Sequence, residues 1–139
     1  MNICKSSEDY LEMMLMLQNS KGYIRSVDIA SGLGVTKPSV SYAVKRLREN
    51  GYIDMKDDGM LQLTETGQKI AEEMYMRHTT LTAHLMSLGI PEEVACEDAC
   101  QIEHIISDES FEAIKKSVKL SGITHSCDSC HMADECAKH

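Results

Sequence analysis

The stretch GVTKPSVSYAVKRLRENGYI, residues 34–53, decides the fold because it contains the start, the buried face and the end of one helix. Thr36 can cap this helix, and Pro38 falls in the first turn, where a missing backbone N–H costs little. Gly51 ends the helical pattern. The buried face is predicted by three apolar residues at helical spacing: Val40, Val44 and Leu47.

The opposite face of this helix is polar and basic, and its side chains can donate hydrogen bonds to phosphates or base edges. Residues 21–50 hold six Lys and Arg against two Asp and Glu, a local charge of +4. We therefore predict that this surface contacts DNA. The predicted contact residues are Arg25, Thr36, Lys37, Pro38, Ser39, Ser41, Tyr42, Lys45 and Arg48.

Short elements flank this helix in an order that is typical of one DNA-binding fold. A first helix is capped at Ser6 or Ser7, and a second begins at the cap Ser26 and ends at glycines 32 and 34. After Gly51, apolar and polar residues alternate with a period of two in two short segments, and a turn-forming run lies between them. This pattern predicts a β-hairpin. Helix, turn, helix and then a hairpin is the winged variant of the helix-turn-helix.

The second half of the chain has helical periodicity throughout. A long apolar stripe predicts a helix from Thr64 to about Ser87, a further helix opens after Pro91 and runs to about Ile106, and Ser107 begins a last one. We therefore predict a mainly α fold, in which an N-terminal winged helix-turn-helix with a small β-hairpin wing is followed by a helical dimerisation domain. The predicted divisions are 1–63 for DNA binding, 64–121 for metal binding and dimerisation, and 122–139 for a Cys/His-rich tail.

Composition and charge narrow the class of protein. The chain has 139 residues, 42% of them hydrophobic, and no run approaches the roughly 18 apolar residues of a membrane span. The N-terminus carries acidic residues where a signal peptide would be apolar, so we expect a cytoplasmic protein with no membrane partner. The charge is +2 over residues 1–50 and −10 over the rest. This division suits a DNA-reading module joined to a cation-binding one, although ordinary surface charge gives the same count.

Three metal-ligand types lie close together in the helix predicted after Pro91. Cys100, Glu103 and His104 follow one another at i, i+3 and i+4, so one helical turn presents all three on one face. A buried glutamate is costly unless it is paired or ligated. We therefore predict that this cluster binds a metal.

Two further groups extend the candidate metal site. Asp9 and Glu12 form an i, i+3 acidic pair on the first helix, and His78 falls on the apolar stripe of the long helix. The alternatives are helix capping for the carboxylates and a core histidine. A shell of carboxylates and imidazoles suits Fe(II) and Mn(II), and a thiolate moves the preference toward iron and later metals.

The chain resembles the family of iron- and manganese-dependent repressors that includes the diphtheria toxin repressor and the manganese transport regulators. The resembling segments are EDYLEMMLML at 8–17, the helix-turn-helix through KRLRENGYI, LTETGQKIA at 63–71, MRH at 76–78 and EDACQIEHIISDE at 97–109. They cover about residues 6–118 in the family's order. The resemblance implies a homodimer that places two recognition helices in successive major grooves of a palindromic double-stranded operator.

The resemblance also implies a ligand set for Fe2+ or Mn2+. Cys100 stands where the manganese regulators carry a glutamate and the iron-type repressors a cysteine, whereas Asp9 stands where the iron-type proteins carry a methionine. The choice between iron and manganese therefore stays open. At 139 residues the chain resembles the two-domain members, without the third domain of larger ones. The implied metal ligands are Asp9, Glu12, His78, Cys100, Glu103 and His104.

Cysteines outside this set form a second candidate group. Six cysteines without an export signal indicate reduced thiols rather than a disulfide framework. A CxxC pair in the tail is a chelating unit for Zn2+, although zinc sites normally need a second pair of ligands. An accessory or tail metal site would use Cys96, Glu97, Cys127, Cys130, His131 and Cys136.

Two other functions compete with metal sensing. A winged-helix regulator could sense redox state through its thiols, and Cys96 and Cys100 lie at i, i+4. A small metal-dependent hydrolase is disfavoured because the sequence has no glycine-rich phosphate loop and no nucleophile motif. We therefore expect a regulator that is not an enzyme.

Overall fold

The computed structural model of the chain describes residues 5–121 as six helices and one two-stranded sheet. The described part divides into two compact units between Glu73 and Met74. None of its helices is both long and apolar enough to span a bilayer. The elements are α1 Lys5–Lys21, α2 Ser26–Leu33, α3 Lys37–Glu49, β1 Ile53–Met55, β2 Leu61–Leu63, α4 Glu65–Ser87, α5 Glu92–Ile102 and α6 Asp108–Ser121.

Helix α3 forms as predicted. The hydroxyl of Thr36 accepts the backbone N–H of Ser39 at 3.3 Å, so Thr36 is the N-cap, and Pro38 lies in the first turn. The apolar face packs into the core of the first unit through Val40, Val44 and Leu47. Capping and one buried stripe are thus enough to fix this helix within its unit.

Helix α2 begins differently from the prediction. Ser26 is its first helical residue and not its cap, so the predicted Ser26 cap is wrong. The N-cap is Arg25, whose side chain has no acceptor for the terminal N–H groups. Negative charge at this helix start comes instead from Asp28 in the first turn, where the helix dipole favours it.

Close packing joins α1 to α2. A Cβ atom built on Gly32 would lie 2.8 Å from the Sδ atom of Met13, which is shorter than normal contacts allow. Leu11 and Met14 of α1 and Ile29 of α2 are fully buried in this core. The glycine in the predicted turn region therefore allows two crossing helices to approach closely.

The hairpin confirms the predicted wing. Strands β1 and β2 are antiparallel, with Ile53 opposite Leu63 and Met55 opposite Leu61. The turn between them contains Gly59 at a φ of 86°, a backbone conformation that favours glycine. A bridge from Ile24 to Leu61 ties the hairpin to the segment before α2. The first unit is therefore a winged helix-turn-helix.

Helix α4 starts against the end of α3. The hydroxyl of Thr64 donates to the carbonyl oxygen of Gly51 at 2.8 Å and accepts the N–H of Gly67 at 3.2 Å. The backbone N–H of Thr64 also donates to the carbonyl oxygen of Tyr52 at 3.1 Å. Thr64 therefore links the start of α4 to the two residues that follow α3 and its cap.

The second unit contains the rest of α4 with α5 and α6. Helix α5 ends at Ile102, four residues before the predicted end. The Arg77 guanidinium binds the segment that follows α5, since its Nη1 atom donates to the carbonyl oxygens of Glu103 at 3.3 Å and Ile106 at 2.9 Å. If the helix continued through this segment, these two carbonyl oxygens would accept backbone N–H groups instead. Helix α6 then begins after Ser107, whose hydroxyl accepts the N–H of Ser110.

Replacement of Gly67 by alanine should destabilise the first unit. The added Cβ would lie 2.0 Å from the carbonyl oxygen of Tyr52, and backbone atoms on both sides leave little freedom to adjust. We expect a loss of about 1–3 kcal/mol in the free energy of unfolding, the usual cost of overpacking. Urea unfolding followed by circular dichroism measures it. Thr66→Ala, on the exposed neighbouring residue, is the control, and an equal stability of the two variants would contradict this packing.

Candidate metal centre and nucleic-acid interface

The second unit holds a carboxylate that is removed from water. Glu103 is 0% exposed, and its Oε2 atom lies 2.9 Å from Nδ1 of His78 on α4, which is equally buried. Its Oε1 atom lies 3.4 Å from Nε2 of His104. One carboxylate thus stands between two imidazoles, each able to donate a proton or to offer a lone pair.

A thiol completes this buried cluster. Cys100 on α5 is 5% exposed and keeps its thiol, because it is not disulfide-bonded. Its sulfur and a carboxylate oxygen of Glu103 lie within 4.8 Å of each other. The second unit therefore gathers four predicted ligand residues: His78, Cys100, Glu103 and His104.

The prediction that these ligands share one helical turn is only partly right. Cys100 belongs to α5, but Glu103 is the residue that caps its C-terminus and His104 lies in the turn that follows. His78 comes from α4, Cys100 comes from the last turn of α5, and Glu103 and His104 come from the turn after α5. The geometry of the cluster therefore depends on how the chain leaves α5.

The donor set fits a divalent transition metal. Imidazole nitrogens, a carboxylate and a thiolate are the ligands that iron, manganese and the later metals use in proteins. A buried carboxylate is stable when a positive charge or hydrogen bonds match it. His78 supplies a hydrogen bond to one carboxylate oxygen, and the His104 ring lies 3.4 Å from the other. A cation bound at the same oxygens would supply the matching charge instead.

Helix α1 carries the two remaining predicted ligands within the first unit. Glu12 is 1% exposed, whereas Asp9 is half-buried, with a carboxylate oxygen 3.8 Å from Nζ of Lys5. Glu12 lies near the middle of α1, and a fully buried glutamate there is unusual for a residue that only caps a helix. The role of both carboxylates as metal ligands stays a prediction.

The accessory cysteine differs from its prediction. Cys96 is buried on α5 and disulfide-bonded, so its sulfur is not available as a thiolate ligand in this structure. The expectation that the cysteines are reduced is therefore wrong at this position. Glu97 lies beside it and is partly exposed. The predicted tail ligands lie outside the described residues: Cys127, Cys130, His131 and Cys136.

The outer face of α3 presents the predicted DNA contacts to solvent. Thr36 and Ser39 hydrogen-bond to each other through their hydroxyls at 2.9 Å, so these two residues also shape the helix start. An open cleft of about 380 Å³ lies between the end of α3 and β1, and its charged lining residues are Lys45 and Arg48 together with Glu49 and Asp54. The other exposed members of the set on this helix are Lys37, Pro38, Ser41 and Tyr42.

Sequence reasoning missed Arg46 on this helix. Its guanidinium lies 5.8 Å from the centre of the Tyr42 ring and donates to the Tyr42 hydroxyl at 3.3 Å. This contact holds an aromatic ring that is otherwise exposed on α3. The i, i+4 spacing of the two residues is the signal that could have found the pair.

A charged cluster surrounds the start of α2. Asp28 accepts hydrogen bonds from Arg25 and Lys21, both at 3.1 Å. These bonds lower the pKa of Asp28, the bond from Arg25 contributing most. The Arg25 guanidinium also lies 5.3 Å from the centre of the Tyr23 ring. The predicted contact Arg25 is therefore held in place, with part of its charge matched by Asp28.

Comparison with known proteins finds both halves of the chain in one family. Residues 2–61 match the iron dependent repressor N-terminal DNA binding domain, and residues 64–121 match the iron dependent repressor metal binding and dimerisation domain. The transcriptional regulator MntR of Escherichia coli O6:H1 is 37% identical over 115 residues, which are 83% of this chain and 74% of that protein. The HTH-type transcriptional regulator MntR of Bacillus subtilis is 38% identical over 109 residues, 78% and 77% of the two chains.

A solved structure supports the same relationship. The structure described as a manganese-dependent transcriptional repressor complex with manganese superposes with a TM-score of 0.75 and 27% identity. The match covers 81% of this chain and 52% of that one, so this chain spans about half the length of that protein. The two domain matches in order, and relatives covered over more than two thirds of their length, lead to one conclusion. The chain belongs to the iron-dependent repressor family of metal-dependent transcriptional regulators.

Proposed function

We propose that this protein acts in the cytoplasm as a homodimeric repressor that binds a palindromic operator when Fe(II) or Mn(II) occupies its metal centre. The observation that carries the proposal is the buried cluster of His78, Cys100, Glu103 and His104 in the second unit. Such a cluster gains more from a bound cation than from serving only as packing, because apolar residues would fill the same space at lower cost.

The proposed ligand set adds Asp9 and Glu12 of α1. Support for these two carboxylates comes from the sequence resemblance and from the burial of Glu12. A bound ion would supply the positive charge that offsets the repulsion among the carboxylates of the proposed set. A coupling of about 1–3 kcal/mol between metal binding and DNA binding is enough for a usable switch.

The metal preference is proposed to depend on Cys100. Manganese favours oxygen ligands, whereas a thiolate favours iron and the later metals. The proposed set combines a thiolate with up to three carboxylates, so both Fe(II) and Mn(II) fit it. The relatives named MntR, and the solved structure that contains manganese, support manganese as one of the two.

The proposed DNA surface is the outer face of α3 together with the start of α2. A dimer with a twofold axis reads two half-sites in opposite directions, which is the reason to expect a palindromic operator. Asp28 lies inside this basic surface and neutralises part of its charge. We propose that it reduces binding to DNA of unrelated sequence.

The disulfide at Cys96 favours a second candidate function. Cys96 precedes the proposed ligand Cys100 by one helical turn on α5, so a disulfide lies close in sequence to the metal cluster. The second candidate is therefore a thiol-based redox regulator. Gel shifts with metal, chelator, reductant and oxidant separate the two, because only a redox regulator would bind DNA in chelator and lose binding on a change of redox state.

Glu103→Gln should abolish the metal response. The variant keeps the shape of the side chain but removes the charge that a cation needs. We expect metal-stimulated binding to fall at least tenfold, measured by gel shift on a duplex selected from a randomised pool with wild-type protein and Mn(II). Glu112→Gln, on the exposed face of α6, is the control. A normal metal response in Glu103→Gln, with the dimer intact by sedimentation, would remove Glu103 from the ligand set.

Cys100→Glu should move the metal preference toward manganese. A carboxylate replaces the thiolate, and oxygen ligands suit Mn(II) better than a sulfur ligand does. We expect the ratio of the Mn(II) to the Fe(II) concentration for half-maximal DNA binding to fall by about tenfold, or 1.4 kcal/mol. Anaerobic titrations measure both concentrations, with Cys100→Ser as the control for loss of the thiol. An unchanged ratio would separate Cys100 from metal selection.

Asp28→Asn should strengthen binding to DNA of unrelated sequence. The substitution removes the carboxylate that is paired with Arg25 and Lys21, so one more positive charge is available for phosphates. We expect the slope of log affinity against log salt concentration to steepen by up to about 1. Asp98→Asn makes the same charge change in the second unit and is the control. Equal slopes for the two variants would place the DNA surface elsewhere.

A further inference from the structure

We infer that Arg77 is a positioning residue for the metal centre, because it fixes the turn that carries Glu103 and His104. The inference rests on the proposed function, and it assigns a task to a residue that is not itself a ligand. Arg77 lies on α4 directly before His78. The same helical turn therefore carries the first imidazole of the cluster and the side chain that holds the rest of it.

The Arg77 side chain is almost completely enclosed. It is only 9% exposed, and its position on the apolar stripe of α4, between Met74 and Leu81, is a place where an arginine is rarely found without partners. Its guanidinium carbon lies 5.4 Å from the centre of the Phe111 ring on α6. A charged group at this depth needs specific acceptors.

Those acceptors belong to the segment between α5 and α6 and to the first residue of α6. Nη1 donates to the carbonyl oxygen of Glu103 at 3.3 Å and to that of Ile106 at 2.9 Å, and Nη2 donates to the Asp108 carboxylate. One side chain therefore binds both ends of the four-residue segment 103–106. His104 lies between the two anchored carbonyls.

The physical reason for a guanidinium at this place is the end of α5. The last carbonyls of a helix have no partners within the helix and carry partial negative charge. Arginine supplies several donors in one rigid plane, so it can bind two carbonyls and a carboxylate at once, whereas the single ammonium of lysine offers a point charge. The turn is therefore specified by arginine rather than by positive charge alone.

The carbonyl bonds carry more weight in this arrangement than the ion pair. The Asp108 side chain is 86% exposed, and exposed ion pairs contribute little because water screens them. The bonds to Glu103 and Ile106 are buried or partly buried. Removal of the Asp108 charge should therefore leave the turn in place, while removal of the guanidinium should release it.

If the segment 103–106 moved, the ligands Glu103 and His104 would move with it. The Glu103 carboxylate lies 2.9 Å from His78 and 3.4 Å from His104 only while its backbone is held at the end of α5. Ligand sets need their donors fixed to within about 0.5 Å, which residues beyond the ligands provide. Substitution of such supporting residues costs about 10- to 100-fold in metal affinity.

The experiment compares four variants with the wild-type protein: Arg77→Met, Arg77→Lys, Asp108→Asn and Lys116→Met. Lys116 is exposed on α6, and its replacement removes one positive charge without touching the turn. Co(II) is the probe, because its visible spectrum reports ligand number and thiolate bonding. Each protein is titrated with Co(II) under anaerobic conditions, and thermal unfolding without metal is recorded separately.

The expected result is a Co(II) affinity about 10- to 100-fold lower for Arg77→Met, with a changed visible spectrum. Arg77→Lys should fall between Arg77→Met and wild type, and Asp108→Asn and Lys116→Met should match wild type. A residue that only stabilises the fold would lower the melting temperature and leave the spectrum and affinity of the folded protein unchanged, and that outcome would overturn the inference. If Arg77→Met does not fold, the spectrum and affinity of Arg77→Lys decide in the same way.

Failure of the inference and failure of the proposed function can be told apart. Wild-type protein that binds no Co(II), or whose Co(II) spectrum is identical to that of Glu103→Gln, would contradict the metal centre itself. Wild-type protein that binds Co(II) through Glu103, with Arg77→Met and Arg77→Lys indistinguishable from it, would contradict the role of Arg77 alone.

Discussion

The carboxylate of Glu103 sets the main constraint on the second unit, because a negative charge without water must be matched by the groups around it. His78 and His104 provide that match from two sides, and neither would be close enough if the chain left α5 by another route. The burial of one acidic group therefore explains why a histidine occupies the apolar stripe of α4.

Local rules of helix formation account for the parts of the fold that sequence predicted well. In α3, the cap at Thr36, the proline at position 38 and a stripe of three apolar residues all lie within 13 residues of one another, and the structure has each of them as predicted. The hairpin follows from alternation and a turn with Gly59. Such features depend on neighbours in the chain, so the sequence contains the information directly.

The features that sequence missed depend on side chains that are distant along the chain. Arg77 precedes Glu103 by 26 residues and binds its carbonyl oxygen at the end of α5, and no local pattern marks that contact. The Ser26 cap failed because the residue before it takes the cap position, and Cys96 was expected to be reduced but is disulfide-bonded. The residue types of the cluster were predictable from spacing, whereas their placement on a helix end and a turn was not.

Thr64 connects two parts of the first unit that are separated along the chain. Its backbone and hydroxyl connect the start of α4 to the carbonyls of Gly51 and Tyr52, at the end of α3. The bridge from Ile24 to Leu61 connects the hairpin to the segment before α2. With both attachments in place, the first turn of α4, the end of α3 and the hairpin form one packed body, so a strain at one attachment reaches the other.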